Sequence, residues 1–122
     1  MSNNNLSTVL AYYAAINQKQ VDLAAEKLAD NVSIISPLDE KHGKTEVVNA
    51  LKGFCSAVES VSIRAKFSKD NQVMLAYDIL FPKPVGHLRA AGLITLDQNL
   101  ITNIELFYDG RVVQAKKDEI FS

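Results

Sequence analysis

The sequence predicts an α+β domain in which three early helices pack on one face of a curved, mainly antiparallel sheet. Two observations carry that expectation. Apolar residues recur at three- and four-residue steps through the first half of the chain and at two-residue steps through the second. The strand-like runs of the second half are separated by short turn-forming stretches, so consecutive strands return beside one another.

Leu6, Val9, Leu10, Tyr13 and Ile16 mark one face of a first helix that ends near Asn17-Gln18. Asp22 is placed to cap a second helix over 23–29, with Leu23, Ala24 and Leu28 along one side. Val32 to Ser36 is rich in β-branched residues and stops at Pro37, as a short strand does. His42-Gly43-Lys44 turns into a third helix, whose wide apolar stripe holds Val47, Val48, Leu51, Phe54, Cys55 and Val58 despite Gly53. Strands are then expected over 61–69, 72–81, 85–96 and 100–109, parted by Asp70-Asn71, Pro82-Lys83-Pro84 and Asp97-Gln98-Asn99. The charged tail, 111–122, carries Val112, Val113, Ile120 and Phe121 as apolar points and either docks on a partner subunit or frays.

With 122 residues, the chain is read as a single domain over 1–122, large enough to bury a core without disulfides or a structural metal. Thirteen Lys and Arg against fourteen Asp and Glu leave a formal charge of −1, which offers nothing to nucleic acid or an anionic membrane. The unbroken apolar run from Val9 to Ile16 is too short to span a bilayer, and the first residues lack the basic start of a signal peptide. One cysteine, Cys55, makes no internal disulfide and reads as a small buried hydrophobe. A cytoplasmic protein is expected. His42 beside Asp39 and Glu40 reads as a solvated turn rather than a metal site, and His87 as surface or interface. Phosphate loops and nucleophile elbows are absent, so neither cofactor nor metal is expected.

The order of these elements resembles the nuclear transport factor two-like superfamily, the cone-shaped fold of ketosteroid isomerase and the SnoaL-like polyketide cyclases. The residues that carry the likeness are Tyr12-Tyr13-Ala14-Ala15-Ile16-Asn17, Leu28-Ala29-Asp30-Asn31-Val32 followed by Ser36-Pro37, His42-Gly43-Lys44, and Phe107-Tyr108. It covers residues 6 to 109 and implies an apolar pocket open at one end of a cone, and a homodimer. It does not imply a reaction, since this fold hosts enzymes, binding modules and adaptors alike.

The isomerase chemistry needs a carboxylate base and two donors, a tyrosine and a protonated aspartic acid. With Tyr12 on the family's tyrosine, the resemblance puts Ser36 at the base and Gly92 at the second donor. Neither does that work, so isomerase activity of this kind is not expected. What remains is a pocket. If Ser36 and Gly92 face inward as the resemblance implies, alternation turns Leu88, Ala90, Ile94, Ile104, Leu106 and Tyr108 inward, with Val73, Leu75, Tyr77 and Ile79 beside them. Tyr12, Tyr13 and Ile16 approach from the first helix, and small Ala90 and Gly92 leave room in the middle. Such a lining suits a small, mostly hydrophobic molecule with one or two oxygen functions. The alternative is a filled core with buried tyrosines bonded to backbone.

Arg64, Asp78, Arg89 and Glu105 fall in mid-strand. Pairing Phe81 with Gly86 places Asp78 opposite Arg89, and three-residue turns place Arg64 opposite Asp78 and Glu105 opposite Ala91. All four then lie on the face away from the pocket. There they read as a salt-bridge ladder on the solvent or dimer face, and beside them Ala91, Leu93 and Phe107 fit the apolar centre of a homodimer interface. Epoxide hydrolases of the superfamily use an Asp-Arg-Asp set inside the pocket, and Asp78, Arg89 and Glu105 imitate it only if strand parity is reversed. Three readings stay open: a ligand-binding domain, a pocket enzyme using those three residues, and a dimeric interaction domain with its cavity packed shut.

Overall fold

The computed structural model describes residues 2–83 and 85–113. The first helix, α1 (Ser2–Asn17), buries Val9, Tyr12, Tyr13, Ala15 and Ile16, a wider face than one stripe. Sheet and helix enclose it from two sides, which is why the adjacent Tyr12 and Tyr13 both point into the interior. At its end Asn17 clamps the sheet. Its side chain donates to the Val61 carbonyl at 2.9 Å and accepts from the Val61 N–H at 3.0 Å.

The second helix, α2, is only Val21–Ala25. Gln20, not Asp22, stands at its N-cap without a side-chain hydrogen bond, and Asp22 falls in the first turn, where an acid suits the helix dipole. The expected continuation to Ala29 fails because Leu28 begins the first strand, β1 (Leu28–Ile35), pairing with Ile101 on a neighbouring strand. Tertiary pairing overrides local helix propensity there, and it leaves Leu23 exposed rather than on a buried side. A short strand unforeseen from the sequence, β2 (Glu40–His42), pairs antiparallel with β1. Gly43 at φ +88° then opens α3 (Lys44–Ala57), whose Val47, Ala50, Leu51 and Cys55 are buried.

The meander consists of β3 (Ser60–Lys69), β4 (Gln72–Leu80), β5 (His87–Asp97) and β6 (Leu100–Phe107). One six-stranded sheet results, in the order β2-β1-β6-β5-β4-β3. It is mixed, because β1 lies parallel to β6 while every other neighbouring pair is antiparallel. A short helix, α4 (Gly110–Val113), follows β6. The expected roles of Ile120 and Phe121 in the tail lie outside the described residues. Among the described residues no helix is long and apolar enough to cross a membrane.

Register follows from the turns. Phe81 N–H donates to Gly86 O at 2.8 Å, and Asp78 pairs with Arg89 as expected. The other two connections are two-residue turns, not three. Asp97 pairs with Leu100 across Gln98 and Asn99, at φ 50° and 68°, the pair of positive angles that matches strand twist. The shorter turn moves Glu105 by one residue and a bulge between Thr95 and Leu96 by a second, so Glu105 sits opposite Leu93 instead of Ala91, a slip of two residues that keeps it on the same face. Lys69 pairs with Gln72, so Ser62 rather than Arg64 lies opposite Asp78. Arg64 is the extra residue of a bulge between Ile63 and Ala65.

The Asn17 clamp predicts a loss of about 1–2 kcal/mol for Asn17→Ala, since two hydrogen bonds to one strand residue go at once. Urea unfolding measures it. A loss under about 0.5 kcal/mol contradicts the role.

Candidate functional site

A cavity of about 70 Å³ lies between α1, α3 and the inner face of the sheet. From α1 come Tyr12, Tyr13 and Ile16, and from α3 come Ala50, Leu51 and Phe54. The sheet and its edges supply Ile34, Tyr77, Ile79, Phe81, Leu88, Ile104, Leu106 and Tyr108. Tyr12, Tyr13, Tyr77 and Ile104 are buried and form the inner end. Ile34, Phe54, Leu106 and Tyr108 are half-buried and form the mouth.

The aromatic rings order this space. Tyr12 and Tyr13 meet edge to face with centroids 5.1 Å apart, and Tyr13 and Tyr77 stand tilted at 5.3 Å. The Tyr13 hydroxyl donates to that of Tyr77 in a long contact of 3.5 Å. Phe54 and Phe81 pack edge to face at 6.1 Å. Burial pushes the Tyr13 phenol up to about 12, with the Tyr77 hydrogen bond working the other way. Burial also raises Tyr12 and Tyr77 well above the usual range. Tyr108 is raised by burial too, opposed by its hydrogen bond with Ser36. All four hydroxyls are neutral donors over the whole physiological range.

Of the residues expected from the sequence, Tyr12, Tyr13, Ile16, Tyr77, Leu88, Ile104, Leu106 and Tyr108 line the cavity, and Ser36, Leu75, Ala90 and Gly92 do not. Ser36 closes a turn: its hydroxyl donates to Asp39 O at 3.0 Å and accepts from Asp39 N–H at 3.2 Å. Leu75 and Ala90 are buried core. The space expected above Gly92 is occupied. A Cβ there would lie 3.4 Å from Tyr77 Cε1 and 3.5 Å from the Tyr13 hydroxyl. Two tyrosine rings thus fill what the missing side chain vacates. Sequence reasoning missed Ile34, Ala50, Leu51, Phe54 and Phe81 as lining. Ile34 was available by alternation from Ser36, and Leu51 and Phe54 were visible on the apolar stripe without a sign of what they face.

The ionic residues occupy the opposite face. Asp78 Oδ1 receives Arg64 Nε at 3.1 Å, His87 Nε2 at 3.3 Å and Arg89 Nε at 3.8 Å. The Arg89 side chain is 72% exposed. The hydrolytic alternative required Asp78, Arg89 and Glu105 in the hollow; their strand positions put them outside it, while Tyr77, Leu88 and Ile104 between them face in. Cys55 is buried with its Sγ toward Ile16 O, and burial pushes its thiol up.

No protein-family model and no curated protein sequence matches the chain. Solved structures do. The fold is similar to an NTF2-like protein of unknown function from Cytophaga hutchinsonii ATCC 33406, with 23% identity, TM-score 0.82, and 90% of this chain and 94% of that one covered. It is similar to a proposed SnoaL-like polyketide cyclase from Jannaschia sp. CCS1, with 14% identity, TM-score 0.79, and 98% and 92% covered. It is also similar to a de novo designed protein with a curved β-sheet, with 13% identity, TM-score 0.85, and 98% and 96% covered. The chain therefore has the NTF2-like, SnoaL-like α+β fold.

Two outcomes follow from the tyrosines. Gly92→Ala places its methyl in ordinary contact with them and relieves strand-glycine entropy, so denaturant unfolding is expected to show a gain of up to about 1 kcal/mol. A loss beyond about 1 kcal/mol contradicts the packing described. Because burial raises the folded-state Tyr13 phenol to about 12, above its value in the unfolded chain, its contribution to stability is full below about pH 10 and disappears as pH climbs through about 12, and the raised Tyr12 and Tyr77 act in the same direction. Phenolate absorbance should therefore appear together with loss of the circular dichroism signal. Tyrosine ionisation completed near pH 10 in a folded protein contradicts the burial.

Proposed function

We propose that this domain binds a small, uncharged, mostly hydrophobic molecule in the cavity, without the acid–base machinery of a ketosteroid isomerase. One observation carries the reading: among the described residues, ten apolar side chains and four neutral phenols line the space, with no carboxylate, amine or guanidinium. An anionic ligand brought here meets no counter-charge among the described residues and loses its hydration, which costs several kcal/mol. An uncharged ketone, alcohol or phenol loses little and gains a donor from Tyr12, Tyr13 or Tyr77.

The cavity volume sets the scale. Small-molecule sites usually measure about 300–1,000 Å³, and the space here is about 70 Å³. A few heavy atoms fit at the inner end, and the remainder of the ligand rests at the mouth on Ile34, Phe54, Leu106 and Tyr108. Tyr108 supplies the mouth with a polar contact, while the three inner phenols orient the head of the molecule.

A homodimer through the outer sheet face belongs to the same proposal. Phe67, Met74, Leu80 and Phe107 are exposed there, beside the Asp78 ion cluster. This combination matches an apolar centre with a polar rim. The lone buried thiol is consistent with a cytoplasmic setting.

Native mass spectrometry of the purified protein, followed by thermal shift with cyclohexanone, phenol and cyclohexanol against benzoate and cyclohexanecarboxylate, tests both halves. The expected result is a mass of two chains and a rise of about 5 °C for an uncharged compound at ten times its Kd, with no rise for the carboxylates. Equal shifts for carboxylates and neutral compounds, or none for either, overturn the ligand reading. A single-chain mass at all concentrations overturns the dimer.

A further inference from the structure

The outer face carries a second cluster that the cavity does not use. Strands β1 and β2 pair with Ser33 opposite His42 and Ile35 opposite Glu40. Ile34 lines the cavity, so Ser33 and Ile35 project from the other side of the sheet. There the Ser33 hydroxyl lies 3.1 Å from His42 Nδ1, and His42 Nε2 lies 3.3 Å from Glu40 Oε1. An ionised carboxylate only accepts, so Glu40 fixes the imidazole proton on Nε2 and leaves Nδ1 as the acceptor for the Ser33 hydroxyl. That is the order of groups an activated serine requires: nucleophile, base, and an acid that orients the base.

Neighbouring elements hold the relay in place. His42 N–H donates to Glu46 Oε1 at 2.9 Å, and Gly43 N–H donates to Val32 O at 2.8 Å, tying the end of β2 to α3 and β1. On the other side of Ser33 the parallel strand β6 presents Asn103 at the same level. A side-chain amide at that position is a donor of the type that stabilises an oxyanion. Ile35, one step along the face from Ser33, offers an exposed apolar surface. The cluster sits at the end of the sheet farthest from β3.

We propose that Ser33, His42 and Glu40 form an acyl-transfer site for short, uncharged esters, independent of the cavity. Ser33 Oγ bonds to the ester carbonyl carbon as His42 Nδ1 takes the hydroxyl proton. The carbon–oxygen bond to the alcohol then breaks, and His42 returns the proton to the departing alkoxide. Water, deprotonated by His42, attacks the acyl-serine, and the acid leaves with Ser33 restored. The sum is ester plus water to acid plus alcohol, with no other reactant. Glu40 and Glu46 repel anionic esters, which sets the preference for uncharged ones. The site is open to water, so its acceleration is modest, on the order of 10²-fold over solution.

The test is hydrolysis of 4-nitrophenyl acetate by the full chain. The expected result is nitrophenol release above buffer, with at least a tenfold loss in Ser33→Ala and His42→Ala. Ser62→Ala, an exposed serine on β3, keeps the full rate. Mass spectrometry of acid-quenched protein places one acetyl group on the Ser33 peptide. Fluorophosphonate labelling of the unaltered chain provides a readout that does not depend on the variants folding, and it labels Ser33. Hydrolysis no faster than buffer, an unchanged rate in a folded Ser33→Ala protein, acetylation on lysines alone, or absence of the fluorophosphonate at Ser33 each overturns the proposal.

Discussion

The two-residue alternation of β4 and β5 is the constraint from which the rest of the structure follows. Val73, Leu75, Tyr77 and Ile79 face inward, and so do Leu88, Ala90, Gly92 and Ile94 on the neighbouring strand. A slip by one residue would turn Asp78 and Arg89 into an apolar hollow, at several kcal/mol for each ion, and would expose Tyr77 and Leu88 to water. No cross-strand ion pair at a solvated surface returns that much. The Phe81–Gly86 hydrogen bond and the positive-φ turn at Gln98-Asn99 hold the alignment at the two ends of β5.

Much of this was legible from residue order, because turns and alternation are local. The ends of the four long strands fall within two residues of expectation, and the pairing of Asp78 with Arg89 follows from counting back from the proline turn. Where expectation failed, long-range contacts decided. Leu28 leaves a helical pattern because Ile101, more than seventy residues on, offers it a strand partner. The bulge at Arg64, the two-residue turn at Asp97–Leu100 and the bulge between Thr95 and Leu96 are each choices of a single residue, invisible to periodicity. Arg64 still reaches Asp78, and Glu105 keeps its face.

The cavity shows the same division. Its sheet wall was readable from alternation, whereas its helical wall depended on which part of the α3 stripe meets the hollow. The largest departure was Gly92. A missing side chain suggests empty volume, but close-packed interiors rarely leave such volume unused. Here the rings of Tyr13 and Tyr77 close over the glycine, so the cavity is smaller and more strictly apolar than composition implies. The fold itself carries no chemistry. A designed protein with a curved sheet superposes on this chain as well as natural proteins do, so function has to be argued from side chains. In this chain those side chains divide: neutral phenols line the cavity, and the ion cluster around Asp78 lies on the opposite face.

That division can be measured by cysteine accessibility in a Cys55→Ala background, one substitution at a time along two strands. Leu75→Cys and Leu88→Cys should react with a charged maleimide at least tenfold more slowly than Met74→Cys and Arg89→Cys. Fast labelling at 75 and 88 with protection at 74 and 89 would invert the two faces of the sheet and contradict the account.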